Sequence, residues 1–286
     1  MLLAYNTNGF AHHDPAEAIA LLAEIGYRGV GLTIDHGLLD PRQSPSALKR
    51  ELKKVRKVLD KHGMRSVVET GARFLMDPRR KHEPTLMSAE PAGRKMRDAF
   101  LRHAIDVAAE LESDCVSLWS GVLHEPIDDA AAFARLSSEL LEVCRYAEGR
   151  GVLLGFEPEP GMFIDTLARF SQLLIRLDHP SLRLTIDAGH LHCQGETPIA
   201  ARLRHWAKRL VNVHLEDMRA GVHEHLMFGE GEMDFPPIFA ALSEINYQGL
   251  VQVELSRHSH MAPEAARRAW EFLSAIMPPA GPVGEK

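Results

Sequence analysis

Residues 182–190 read LRLTIDAGH, a near-continuous apolar run closed by Asp187. Three other runs have the same shape: VLLGFEPEP at 152–160 with Glu157, LVNVHLED at 210–217 with His214, and LVQVELSRH at 250–258 with Glu254. The four polar residues are spaced by roughly 30, 27 and 40 residues, about one strand–helix unit each. A parallel barrel of such units brings all four side chains to one mouth.

The rest of the chain keeps the same alternation. Strand-like runs LLAYN (2–6), GVGLTI (29–34), RSVVET (65–70) and CVSLW (115–119) precede these four. Near-continuous apolarity with β-branched content suits parallel strands covered on both faces. Helical patterns fill the intervals at 14–26, 46–63, 94–111, 128–149, 165–177, 197–208, 234–246 and 263–276. Asp14 and Pro15 mark a helix start, and Lys61, His62 and Gly63 mark a helix stop. Eight strands each followed by a helix predict an α/β fold, a single-domain (β/α)₈ barrel over residues 1–276, with 277–286 as a flexible tail. An open doubly wound sheet is the competing topology, but it gathers residues from four successive strands less naturally. One connection breaks the rhythm: residues 73–93 are long, polar and proline-bearing, and read as a lid over the mouth, with a passive insertion as the alternative.

Composition narrows the classes. The chain has 286 residues, 45% hydrophobic and 25% charged, with net charge −6. That length and balance suit one soluble barrel enzyme, and the acidic surface gives no footprint for nucleic acid. No apolar stretch approaches membrane-spanning length, so no membrane partner is expected. Cys115, Cys144 and Cys193 form neither a disulfide framework nor a zinc knuckle. With no signal-peptide pattern at the start, a cytoplasmic location fits best.

A carboxylate at the end of an apolar run is costly to bury alone, and four such ends converging call for a shared cation. Three carboxylates and one imidazole suit Mn²⁺, Mg²⁺ or Co²⁺, with Zn²⁺ possible. The predicted metal ligands are therefore Glu157, Asp187, His214 and Glu254. Glu159, two residues beyond Glu157 in a proline-stiffened exit, is assigned to the substrate or to the ligands' surroundings. His190, three residues after Asp187, is read as a substrate contact beside the metal, with Gly189 allowing a sharp turn between them. Its competing role is to cap the following helix.

These motifs resemble the xylose isomerase-like TIM-barrel superfamily, the sugar phosphate isomerase/epimerase group. The resemblance covers nearly the whole chain. It is carried by GFEPEPG (155–161), TIDAGH (185–190), NVHLED (212–217) and FGEGEMDFPPIFAALSEINYQGLVQVELS (228–256). It implies one divalent metal ion on Glu157, Asp187, His214 and Glu254, with Glu157 and Glu254 also exchanging a proton with the substrate. His190 is implied to bind substrate oxygen, and dimers or tetramers are common in the group, so a homo-oligomer is possible.

Other residues near the mouth are less specific. Arg257 can clamp a carboxylate or phosphate, or pair with a neighbouring acid. Trp119, ending the fourth strand, can stack on a sugar face or pack in the core. Glu69, Arg73 and His82 fall near the mouth, and Glu69 is taken as a substrate contact. His223 and His225, beside the Gly-Glu-Gly loop, read as solvated loop histidines.

The leading expectation is metal-dependent isomerisation or epimerisation of a small carbohydrate-like substrate through an enediolate, with Glu157 and Glu254 as acid and base. The alternative is a dehydratase of an inosose- or dehydroshikimate-like substrate. An AP endonuclease and a non-catalytic sugar-binding barrel are the remaining readings.

Overall fold

The computed structural model describes residues 1–278. Eight parallel strands close a barrel: β1 (Leu2–Asn6), β2 (Gly29–Thr33), β3 (Arg65–Glu69), β4 (Val116–Leu118), β5 (Leu154–Phe156), β6 (Leu182–Asp187), β7 (Leu210–Leu215) and β10 (Leu250–Val253). Closure is made between β1 and β10, with Leu2 opposite Leu250 and Tyr5 opposite Val253. The expected α/β TIM barrel is the observed one. The proposed tail begins at Met277, and its residues 279–286 lie outside the described residues.

The helices α1 (Pro15–Ile25), α2 (Pro45–His62), α3 (Pro91–Leu111), α4 (Asp129–Arg150), α5 (Leu167–Arg176), α7 (Ile199–Trp206), α8 (Pro236–Glu244) and α9 (Ala262–Ile276) cover the outside of the barrel. Their ends follow local chemistry. The Asp14 side chain accepts from the amides of Ala16 and Glu17, satisfying donors that the first turn leaves free. Gly63 closes α2 in the left-handed region, where its missing Cβ removes the steric penalty.

Inside the barrel the lower layer is apolar, with Ala4, Val67, Cys115 and Leu250 packed together. Above it lies a polar layer. Gln252 donates to Glu69 (2.8 Å) and to Asn212 (2.7 Å) across the barrel. Gly31 leaves the room for this: a Cβ there would sit 1.9 Å from Gln252 Oε1. The transition from apolar to polar toward the C-terminal strand ends prepares the mouth, where barrels of this type carry their chemistry.

Two elements depart from the strand–helix rhythm. A six-residue helix α6 (Ala188–Cys193) follows β6 directly, and an antiparallel hairpin of β8 (Asp217–Arg219) and β9 (Val222–Leu226) follows β7. The β3–α3 connection is anchored: Leu86 and Met87 are buried, the His82 amide donates to the Arg73 carbonyl (2.6 Å), and Arg73 pairs with Asp35 (2.6 Å). Among the described residues, no helix is long and apolar enough to cross a membrane.

Candidate metal centre

Glu157 leaves β5, Asp187 ends β6, His214 lies in β7 and Glu254 leaves β10. The register places Asp187 beside His214, and the Glu254 amide donates to the Leu215 carbonyl. One potential ligand atom from each of the four lies within 4.8 Å of the other three. His214 Nδ1 stands 3.2 Å from Glu157 Oε1, 3.2 Å from Glu254 Oε2 and 4.0 Å from Asp187 Oδ2.

The donor chemistry fits a divalent cation. Glu157, Asp187 and His214 are buried, and Glu254 is nearly so. None of the lysine or arginine ion pairs among the described residues involves them. Asp187 Oδ2 is buried without a hydrogen-bond partner, an arrangement that normally costs free energy. Three carboxylates sharing one imidazole leave a surplus of negative charge that a bound cation would offset.

The protein's own charges show the same strain. Burial pushes the Glu157 carboxyl up to about 7, against the pull of His214. Burial also opposes the charged form of Glu254, but the hydrogen bond to His214, together with the charges of His214, His225 and His190, outweighs it and holds that carboxyl below its ordinary range. For His214, burial is overcome by the Glu157 and Glu69 carboxylates, which hold the ring well above the usual histidine range. His190 goes the other way, with burial lowering it to about 4 despite Asp187.

The carboxylate of Asp187 caps α6 by accepting from the His190 amide (2.8 Å). Capping therefore falls to Asp187 and not to the His190 ring. Its Nδ1 lies 3.5 Å from Glu157 and 3.7 Å from Glu159, and has no hydrogen-bond partner. Gly189 is needed for space, which corrects the expected sharp turn: a Cβ there would fall 1.9 Å from Glu216 Oε1.

Glu69, expected as a substrate contact, lines the cavity at the mouth and also supports His214 from below. Its Oε1 is taken up by Gln252, by Asn212 (3.4 Å) and by His214 Nε2 (3.0 Å), because its strand directs it into the polar layer beneath the mouth. Arg257 pairs with Glu224 at 2.5 Å, so of its two expected roles the structure contains the ion pair. Trp119 is buried yet lines the mouth, with the Arg97 guanidinium 4.4 Å from its ring centroid and the His82 ring edge-on at 5.3 Å. Glu159, Arg73 and His82 also line this cavity of about 410 Å³.

The hairpin supplies what the sequence reading missed. His223 and His225 reach back to His190, with Nε2 of His223 3.1 Å from that of His190 and 3.4 Å from that of His225. The expectation of solvated loop histidines is thus corrected. The signal was the alternation in VHEHL, which puts both on one face of a strand. Glu216 was missed as well. It is fully buried, neither carboxyl oxygen has a hydrogen-bond partner, and it shares strand parity with His214. Asp217 organises the Gly-Glu-Gly loop by accepting from the amides of Gly229, Gly231 and Met233. Cys115 and Cys144 are buried with their thiols pushed up by burial, as expected of inert cysteines.

Known proteins share this architecture. A crystal structure of the 3-keto-D-glucoside 4-epimerase YcjR from E. coli matches with TM-score 0.78 at 18% identity, covering 96% of this chain and 99% of that one. A D-psicose 3-epimerase from Clostridium cellulolyticum H10 matches with TM-score 0.75 at 19% identity, covering 97% and 99%. Among sequences, an inosose dehydratase of Clostridium beijerinckii is 33% identical over 157 residues, which is 48% of this chain and 52% of that enzyme. An uncharacterized protein of Methanocaldococcus jannaschii is 27% identical over 205 residues, 64% of this chain and 68% of that protein. The matched stretch thus spans about half the length of the clostridial relative. The pattern of one family extends across nearly all of the barrel, from residue 19 to residue 276. With the closed eight-stranded sheet and the four convergent strand ends, this match means that the chain belongs to the xylose isomerase-like TIM barrel family.

Proposed function

We propose that this protein is a divalent-metal-dependent enzyme that moves a proton at the carbon beside a carbonyl of a small sugar or polyol-derived ketone, as an isomerase or epimerase. The observation that carries the reading is the placement of Glu157 and Glu254. They come from different strands, both line the cavity, and both lie 3.2 Å from the same nitrogen of His214. When bound by Glu157, Asp187, His214 and Glu254, a divalent cation supplies Lewis-acid polarisation of the substrate carbonyl.

The remaining work belongs to the side chains. One of the two glutamates takes the proton and the other returns one. Asn8 fixes Glu254 by donating to its Oε1 at 2.8 Å. In this reading His190 hydrogen-bonds a substrate oxygen, a role supported by its buried and unpartnered Nδ1. Arg73, Lys81 and His82 bring the β3–α3 loop to the rim, where it limits water access. Structural neighbours named as sugar epimerases support the reading.

A second reading, loss of water to give a lyase product, is favoured by the sequence relative named inosose dehydratase. The two separate in heavy water. Metal-loaded protein is incubated with ketoses and inososes, and the products are followed by NMR. Deuterium at a retained carbon supports isomerisation or epimerisation, and a deoxy-ketone or new double bond supports dehydration. Absence of both across the panel contradicts the proposal, as does full activity in Glu254→Gln.

A further inference from the structure

A second cavity of about 280 Å³ opens beside the ends of β1 and β2. Three residues, Asn8, Thr33 and Arg73, line both this cavity and the one above the candidate metal centre, so the two adjoin across a single partition. Through its hydrogen bond to Glu254, Asn8 sets that partition one residue away from a carboxylate proposed to handle the proton.

The partition holds an unused acceptor. Asn8 is only 9% exposed, and its Oδ1 has no hydrogen-bond partner although its Nδ2 is engaged. Beyond it the floor is apolar, made by Phe10, Ala18 and Leu38, all buried. The His13 ring packs edge-on against Phe10 at 5.1 Å, and its Nδ1 is buried and unpartnered. Asp35 and Arg73 face each other at 2.6 Å and cancel in charge. An apolar floor with a few fixed polar groups is the usual make-up of a small-molecule site. The cancelled charges disfavour a phosphate or carboxylate and suit a neutral polyhydroxylated ring.

We infer that this second cavity is a subsite for a glycosyl substituent, so that the preferred substrate is a glycosylated ketose with its reacting carbons at the metal centre. The inference rests on the proposed proton-transfer function and specifies its substrate class. A substituent leaving the reacting sugar beside Asn8 enters the cavity directly, its apolar ring face on Phe10 and Leu38 and its hydroxyls toward Asp35, Arg73 and His13.

The test uses the full chain saturated with Mn²⁺ and four probes: D-fructose, turanose, lactulose and isomaltulose. The last three are the same ketose carrying a 3-O-, 4-O- or 6-O-glycosyl group. Calorimetry gives affinities, and NMR in heavy water gives proton exchange. At least one glycosyl ketose binds about 10-fold more tightly than D-fructose. Ala11→Trp, at an exposed position lining only the second cavity, removes that advantage and leaves D-fructose binding unchanged. His36→Trp, on the same rim, repeats the effect. The subsite alone is overturned if D-fructose binds and exchanges while no glycosyl ketose gains, or if the gain survives both tryptophan variants. If none of the four sugars binds or exchanges, both the subsite and the ketose reading beneath it are contradicted.

Discussion

Glu69 Oε1 lies 3.0 Å from Nε2 of His214, while the other ring nitrogen faces Glu157 and Glu254. An Nε2–H donated to Glu69 leaves the Nδ1 lone pair for a cation, the usual way a carboxylate orients a metal-binding histidine. Glu69→Gln is therefore expected to weaken Mn²⁺ binding on the order of 10- to 100-fold with the fold intact. Metal titration by calorimetry, with circular dichroism as the control for folding, measures this. An unchanged affinity argues against the orienting role.

Metal removal is expected to lower stability. A ligand present at 100 times its Kd stabilises a protein by about 2.7 kcal/mol, which for a chain of this size is a shift on the order of 5–10 °C in Tm. Thermal melts with Mn²⁺ and after chelation should differ by that amount. In Asp187→Asn the difference should largely disappear.

Gly189→Ala is expected to destabilise by about 1–3 kcal/mol, because the new Cβ meets Glu216 Oε1 at 1.9 Å and Met218 Cε at 2.8 Å in a fully packed place. Gly149→Ala is the contrast. It lies exposed in α4 with nothing within 4 Å, and is expected to gain about 0.5–1 kcal/mol. Urea denaturation of the two variants reads both signs.

Burial holds the His82 ring at about 4, against its hydrogen bond to the Gly71 carbonyl. In the unfolded chain a histidine titrates near about 6.5. Between these values the folded state binds fewer protons, so this residue's contribution is lost as pH falls from about 6.5 toward 4, at no more than about 1.4 kcal/mol per pH unit. His82→Asn, which tolerates the left-handed backbone at this position (φ 69°), should flatten the acid limb of a stability–pH profile.

The barrel and its mouth were legible because each core strand is an apolar run long enough to stand out, and because Glu157, Asp187, His214 and Glu254 each interrupt one near its end. What stayed hidden has physical causes. The β8–β9 hairpin is short and polar, so it offers no hydrophobic period, and the contacts from His223 and His225 to His190 depend on how it folds back. Helix α6 has six residues, and its cap is Asp187, already assigned as a ligand. Glu69 carries the same strand-end signature as the quartet, and only the register across the barrel shows that it lies behind His214. Nothing in the letters distinguishes a glycine needed for a turn from one needed for space, as at Gly189.

The most direct test is anomalous diffraction from crystals grown with Mn²⁺. One peak should appear bonded to donor atoms of Glu157, Asp187, His214 and Glu254, at separations of no more than about 2.6 Å. A saturated crystal with no peak among these four side chains, or with the ion held elsewhere while they stay unliganded, contradicts the account.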